Sequence, residues 1–161
     1  MIREARAEDA AGIEGLYRIL LPDSSDIHVS PQRISQIADN PDSLLFVYVE
    51  GGEVAGTVHL HLCMDALSGD RPFAVIERFV IIEELRGKGI GASMLRFAEE
   101  AAAARGALKV RLSSKSILTD AHRFYERLGY DGEGSKLFKK YISHQPTGGT
   151  ERKSPTSRGI R

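Results

Sequence analysis

The chain has 161 residues, of which 42% are hydrophobic, and its 22 basic and 22 acidic side chains give a formal net charge of zero. This length suits one domain with a real core, and the balanced charge argues against a protein that coats nucleic acid or an anionic membrane. The single cysteine excludes an internal disulfide, and no apolar run reaches the roughly 20 residues of a membrane span, so we expect a soluble, cytoplasmic protein.

The first half of the chain predicts a short strand, two helices and a three-stranded meander. Residues 2–6 suit a strand, and Glu8-Asp9 suits the start of the helix that follows. Ser30-Pro31 begins a second helix, because Ser caps a helix and Pro is tolerated at its first position. Residues 44–49, 54–63 and 73–82 have strand composition, and Gly51-Gly52 predicts a hairpin turn between the first two.

The second half predicts a crossover from strand to helix to strand. A helical apolar pattern begins at Met94 and runs to Arg105-Gly106, residues 108–112 suit a strand, and a second helix over 120–128 ends at Gly129. Residues 136–142 suit a last strand. The whole order predicts an α/β fold with a mixed, mostly antiparallel sheet and helices on both faces. We expect one domain over 1–143 and a flexible tail over 144–161.

A glycine-rich turn lies where a predicted strand passes into a predicted helix. The segment is Arg86-Gly-Lys-Gly-Ile-Gly-Ala92. Alternating glycines lack Cβ atoms and let a ligand approach the main chain. The first turn of a helix presents free N–H groups and the positive end of its dipole, and Arg86 and Lys88 add positive charge there. The segment therefore predicts an anion site suited to a pyrophosphate.

This turn has three alternative interpretations. The glycines alone are also consistent with a tight turn that binds nothing. A P-loop requires four residues between its glycines and a following Lys-Ser/Thr, which this segment lacks. A dinucleotide-binding turn requires an acidic residue about 20 positions later. There the chain has Leu112-Ser-Ser-Lys115, which contains no carboxylate.

Two motifs together carry a family resemblance. Arg86-Gly-Lys-Gly-Ile-Gly matches the pattern Arg/Gln-x-x-Gly-x-Gly/Ala, and residues 120–130 resemble a helix that ends in Tyr-x-x-x-Gly-Phe/Tyr. The chain thus resembles the GCN5-related N-acetyltransferase (GNAT) superfamily. The resemblance implies the fold of that family, acetyl-coenzyme A as acetyl donor, no metal, and transfer to a primary amine. Residues 112–130 are similar to the aminoalkylphosphonate N-acetyltransferase branch, which implies a small-molecule acceptor.

The resemblance also implies roles for particular residues. The main chain of Phe79, Val80 and Ile81 would pair with the pantetheine arm, and the N–H near Ile81 would stabilise the oxyanion. The Arg86 side chain would lie near the pyrophosphate, and Tyr125 would protonate the departing thiolate. The amides that hold the pyrophosphate would be those of Gly87, Lys88, Gly89, Ile90, Gly91 and Ala92. The chain departs from the family at Leu118, where many members carry an Asn that contacts the pantetheine.

Glu77 is the candidate general base. It precedes the residues assigned to the pantetheine on the same predicted strand, and regular alternation would put its side chain on the face of Phe79 and Ile81. A carboxylate there can take the proton of the amine directly or through water. The alternative is that Glu77 binds a cationic substrate and moves no proton.

Four other side chains have alternatives that the sequence leaves open. Tyr125 is also consistent with an aromatic core residue beside Phe124. His59 and His61 alternate on one strand, so both point to one face, where they line a pocket, pack, or join a metal site that lacks an evident third ligand. His122 shares a helix face with Tyr125 and suits either a cofactor contact or a structural role.

Three functions remain compatible with the sequence. The first is an N-acetyltransferase acting on a small-molecule amine, with no nucleic-acid or membrane partner. The second is a protein or peptide acetyltransferase on the same fold, with the basic tail as a docking arm. The third is a regulator that binds acetyl-coenzyme A without transfer, although the presence of both Glu77 and Tyr125 favours an enzyme. A homodimer is an assembly common in the family.

Overall fold

The computed structural model describes residues 1–143, and the predicted tail lies outside them. Five strands form one sheet in the spatial order of the sequence: β1 (Ile2–Glu4), β2 (Ser43–Glu50), β3 (Glu53–Cys63), β4 (Phe73–Ile81) and β5 (Val110–Leu112). The helices are α1 (Ala10–Leu20), α2 (Pro31–Ala38), α3 (Ile90–Ala104) and α4 (Thr119–Arg127). β1 to β4 are antiparallel and β5 runs parallel to β4, which confirms the mixed sheet. No helix over this range is long and apolar enough to cross a membrane.

The sheet has an apolar core on each face. Side chains directly opposite each other in an antiparallel ladder lie on the same face. The α1 face, covered by α1 and α2, buries Ala5, Ala10, Ile13, Ile34, Leu45 and Val47. The larger α3 face, covered by α3 and α4, buries a set that includes Leu44, Phe46, Val58, Leu60, Ile76, Ile81, Met94, Leu95 and Ala98. Helices therefore cover both faces of the sheet, and the candidate site lies at its β4–β5 end.

Helix α3 approaches the sheet closely at Gly56 of β3. A Cβ atom at this position would lie 2.9 Å from the Met94 sulfur and 3.3 Å from Cγ1 of Ile81. A side chain at this position would force Met94 and Ile81 to shift, so the glycine permits the close approach through packing rather than through backbone conformation. The contact brings the start of α3 against the last residue of β4.

The start of α1 is held by a buried carboxylate. Asp9, only 6% exposed, accepts hydrogen bonds of 2.7 and 2.9 Å from the Arg3 guanidinium and one of 2.7 Å from the Arg6 N–H. The Arg3 hydrogen bonds hold the pKa of Asp9 below its usual value. This pairing fastens the helix to β1, and α1 in turn covers the face on which Glu77 lies.

The predicted last strand over residues 136–142 is wrong. Every residue from Asp131 to Ser143 is exposed, and none joins the sheet. Its four large apolar residues are between 65% and 95% exposed: Leu137, Phe138, Tyr141 and Ile142. Apolar composition alone favoured a strand, but a strand forms only where a second strand is within hydrogen-bonding reach, and composition does not report that.

Asp9→Asn is expected to lower the free energy of unfolding by about 1–3 kcal/mol at neutral pH, because it removes a charge-assisted pair from a buried site. A depressed carboxyl pKa contributes stability above the unfolded value, near 3.9, and loses it as the pH falls through the lower folded value. Urea titrations should therefore show that the difference in free energy of unfolding between wild type and variant becomes smaller below about pH 4.

The neighbouring acid provides the control for this experiment. Glu8 is 70% exposed and 3.9 Å from Arg6, so Glu8→Gln should change stability by less than about 0.5 kcal/mol. Equal losses of stability for the two variants, or a stability difference for Asp9→Asn that does not narrow as the pH falls below about 4, would contradict the role given to Asp9.

Candidate active site

The candidate site begins where β5 separates from β4. The two strands pair only at Ala74↔Val110, Val75↔Arg111 and Ile76↔Leu112. From Glu77 to Ile81 the edge of β4 on that side has no strand partner in the described part of the chain. Free main-chain groups on such an edge can pair with an extended ligand as they would with another strand. The opening includes Phe79, Val80 and Ile81, the residues that the resemblance assigned to the pantetheine.

A β-bulge at Arg78 interrupts the alternation of side chains along β4. Between the pairs His59↔Glu77 and Thr57↔Val80, one residue of β3 opposes two residues of β4. Arg78 has a φ of 53°, the only positive φ of a non-glycine residue within 1–143. A bulge of this kind shifts the chain by one residue, so the side chains beyond it change face.

The bulge makes one expectation from the sequence wrong. Glu77 does not share a face with Phe79 and Ile81. It lies across from His59 on the α1 face, whereas Phe79 and Ile81 pack against the core of the α3 face. The prediction assumed an unbroken ladder, and no glycine marked the bulge. Since Tyr125 also packs on the α3 face, the candidate base and the candidate acid lie on opposite faces of the sheet.

The glycine-rich turn presents six free N–H groups. The first backbone hydrogen bond of α3 runs from the Ser93 N–H to the Gly89 carbonyl, and Arg86 N–H is bonded to Glu83. Between them, the N–H groups of residues 87–92 have no backbone acceptor within the described chain. Donors at a helix start, with the dipole and Lys88 beside them, form a site for an anion.

The three glycines of this turn have two different roles. Gly87 and Gly89 have φ of 74° and 80°, and a Cβ at either would meet no atom within 4 Å. They are therefore required by backbone conformation, and the space beside them is open to a ligand. Gly91 allows close packing, because its Cβ would lie 3.2 Å from Ile81 and 3.3 Å from Phe124, so both side chains would have to move for a larger residue. The turn thus leaves open space for a ligand at Gly87 and Gly89, while Gly91 lets α3 approach the β4 edge.

Arg86 joins the turn to the strand before it. Its Nε donates to the Ile81 carbonyl at 3.3 Å, and its side chain is otherwise exposed. The hydrogen bond fixes the distance between the end of the β4 opening and the start of the N–H cradle. The guanidinium remains at the mouth of the site, where it adds positive charge.

Tyr125 has the environment of a proton donor. Its ring lies between the aromatic rings of Phe124 and Tyr130, with centroids 5.3 and 6.1 Å away, and 6.5 Å from Phe79. Burial raises the pKa of Tyr125, so its hydroxyl stays protonated at neutral pH. The hydroxyl has no hydrogen-bond partner among residues 1–143 and is not sealed from solvent. Tyr125 thus combines aromatic packing with a protonated hydroxyl that has no partner among the described residues.

Tyr130, which the sequence analysis did not single out, ties α4 to α3. Its hydroxyl donates to Oε1 of Glu99 at 2.7 Å, and burial, reinforced by that carboxylate, raises the pKa of Tyr130. Its N–H bonds to the Tyr125 carbonyl, and Gly129 between them has a φ of 92°. The Tyr-x-x-x-Gly-Tyr motif therefore ends α4 and anchors the helix that carries Tyr125.

His59 and His61 share the α1 face, as predicted, with ring centroids 4.0 Å apart. His59 Nε2 and Ser43 Oγ share a hydrogen bond of 2.7 Å. Burial, aided by the charges of His61 and Arg78, lowers the pKa of His59 to about 4, and burial also lowers the pKa of His61. Both rings are therefore neutral at pH 7. No group of three or more possible metal ligands occurs within the described residues.

His122 forms a hydrogen bond with the loop that precedes α4. Its Nε2 lies 2.9 Å from the carbonyl oxygen of Lys115, which joins the first turns of α4 to the segment after β5. Leu118, at the position where many family members carry Asn, is 46% exposed and offers no capping side chain.

Comparison with known proteins gives consistent results. The pattern of the acetyltransferase (GNAT) family matches residues 13–130. The chain is 31% identical over 129 residues to aminoalkylphosphonate N-acetyltransferase of Salmonella typhimurium, over 80% of this chain and 83% of that protein. It is 30% identical over 113 residues to streptothricin acetyltransferase from Escherichia coli, over 68% and 62% of the two chains. A putative acetyltransferase from Agrobacterium tumefaciens superposes with a TM-score of 0.78 at 28% identity, over 88% and 99%.

The buried environment of His59 can be measured directly. In an NMR titration one histidine should become protonated with a midpoint near pH 4, well below the ordinary value of 6.5. Because the unfolded state gains this proton first, the free energy of unfolding should fall as the pH drops below about 6.5. His59→Gln should remove the low-pH signal and leave the other histidine signals. A His59 midpoint near 6.5 would show that the ring is solvated.

Proposed function

The chain belongs to the acetyltransferase (GNAT) family, and we propose that it moves the acetyl group of acetyl-coenzyme A onto the primary amine of a small molecule. The observation that carries this proposal is the opening between β4 and β5. A free strand edge leads through it to the N–H cradle, with Glu77 on one face of the sheet and Tyr125 on the other.

In this proposal the donor substrate is bound mainly by the main chain. The edge of Phe79, Val80 and Ile81 pairs with the pantetheine arm, and the N–H groups of residues 87–92 hold the pyrophosphate. Arg86 and Lys88 neutralise part of its charge. Because the pantetheine lies in the strand direction, the thioester reaches the opening beside Glu77. An N–H near Ile81 stabilises the negative charge that develops on the carbonyl oxygen.

In the reaction, Glu77 acts from the α1 face of the sheet and Tyr125 acts from the α3 face. The amine enters from the α1 face, and its nitrogen bonds to the thioester carbon while Glu77 takes the proton of the nitrogen, directly or through water. The carbon–sulfur bond breaks toward the α3 face, where the Tyr125 hydroxyl gives a proton to the thiolate. A base and an acid kept apart in this way do not neutralise each other before the substrates arrive.

The neutral histidines suit this assignment. Burial keeps the rings of His59 and His61 uncharged at neutral pH, so neither imidazole forms an ion pair with Glu77 and its carboxylate stays available to the amine. Two relatives are named for acting on compounds of low molecular weight, an aminoalkylphosphonate and streptothricin. These names support a small-molecule acceptor for this chain.

Gly89→Ala should weaken binding of coenzyme A by roughly tenfold, because a Cβ at a φ of 80° strains the backbone and projects beside the cradle. Calorimetric titration with coenzyme A measures the change. Gly52→Ala is the matched control, since Gly52 has a φ of 85° and also has open space around it but lies in the β2–β3 hairpin. If both variants lost the same affinity for coenzyme A, the loss would come from a general change in stability and not from the N–H groups of the glycine-rich turn.

Tyr125→Phe should lower kcat by about 10²- to 10⁴-fold, the usual contribution of a positioned acid, and leave the affinity for coenzyme A within about twofold. Thiol release with a panel of primary amines reports kcat, and calorimetry reports affinity. Tyr141→Phe, at a residue that is 65% exposed, is the control and should change neither. If wild type releases no thiol with any amine of the panel, the proposed function is contradicted.

A further inference from the structure

Arg78 has a backbone conformation that its residue type disfavours. Its φ of 53° lies in the left-handed region, where a Cβ atom costs about 1–2 kcal/mol, and glycine is the usual residue. Every other residue of the described chain with positive φ is a glycine. A strained arginine at a bulge beside a candidate base is thus a reason to ask what its side chain does there.

The guanidinium of Arg78 lies near the α1 face of the site. Its charge lowers the pKa of His59, and it opposes the rise in the pKa of Tyr17 that burial causes. His59 comes from β3 and is directly across from Glu77, and Tyr17 comes from α1, which packs over β3 and β4. Arg78 is therefore close to the same surface that holds Glu77.

The charge of Arg78 is not neutralised by the protein. Its side chain makes no ion pair or hydrogen bond with residues 1–143, although Glu77 is its neighbour in sequence. It is also exposed. The α1 face of the site thus has one carboxylate and one free guanidinium, which come from adjacent residues, Glu77 and Arg78. The two neutral imidazoles lie on the same face.

We propose that Arg78 binds an acid group of the acceptor, so that the enzyme selects amines that carry a phosphonate, phosphate or carboxylate. This rests on the proposed function, because it assigns the second end of the same acceptor. Glu77 receives the amino group, and the planar guanidinium receives the acid group through paired hydrogen bonds. The bulge is what gives both side chains access to one surface, since adjacent residues of a regular strand point to opposite faces.

The test compares matched acceptors with and without the acid group. 2-Aminoethylphosphonate, O-phosphoethanolamine and β-alanine are the acidic amines, and ethanolamine is the neutral one. With wild type, kcat/KM should be at least roughly tenfold higher for one or more acidic amines than for ethanolamine. Arg78→Gln should raise the KM for that acid roughly tenfold to a hundredfold, with a smaller change in kcat and little change for ethanolamine.

Two further variants separate recognition from folding. Arg78→Gly relieves the left-handed strain, so it should unfold at a higher urea concentration than wild type while losing the preference for acidic amines. Arg33→Gln, at an exposed arginine of α2, should leave the preference intact. Calorimetric binding of the acidic amine in the presence of coenzyme A provides a readout independent of turnover, and Arg78→Gln should weaken this binding by roughly tenfold to a hundredfold.

Each result of these experiments supports or overturns the inference. Equal effects of Arg78→Gln on acidic and neutral amines, or a wild type that prefers ethanolamine, would refute the role of Arg78 and leave the proposed acetyl transfer intact. Selectivity among the three acidic amines identifies the type of acid. If no amine releases thiol, the proposed function itself is wrong and the inference falls with it.

Discussion

The register shift between β3 and β4 at Arg78 determines which face of the sheet each side chain of β4 occupies. Before the shift, Glu77 and His59 face α1, and after it Phe79 and Ile81 face α3. The shift occurs just beyond Ile76, the last residue of β4 that pairs with β5. The end of the β4–β5 pairing and the β3–β4 register shift therefore lie next to each other on β4. A regular ladder would have kept Glu77 on the α1 face and directed Arg78 and Val80 into the apolar core of the α3 face, where an unpaired guanidinium is costly.

Much of the fold follows from local sequence features. The Gly51-Gly52 turn and the cap at Ser30-Pro31 correspond to the hairpin and the second helix as observed, and Ser30 accepts a hydrogen bond from the Arg33 N–H. Such features are predictable because they depend on conformations that few residues tolerate. The strand predicted after α4 failed for the opposite reason, since a strand depends on a partner that may lie anywhere in the chain.

The site was predictable to the extent that it depends on the main chain. Glycines at 87 and 89 mark the cradle because the backbone itself requires them. The face occupied by Glu77 was not predictable, because an arginine at positive φ has no sequence signal. Nor were the pairs Ser43–His59 and Glu99–Tyr130, which join residues far apart in the chain. Long-range side-chain pairs are a property of the folded arrangement and not of any segment.

The hydrogen bond between Tyr130 and Glu99 joins the two helices that cover the α3 face. One of them begins at the N–H cradle and the other carries Tyr125. The position of the Tyr125 ring relative to the N–H groups of residues 87–92 therefore depends on a contact made outside the candidate site. A change at Glu99 or Tyr130 would act on the site at a distance, through the packing of one helix against the other.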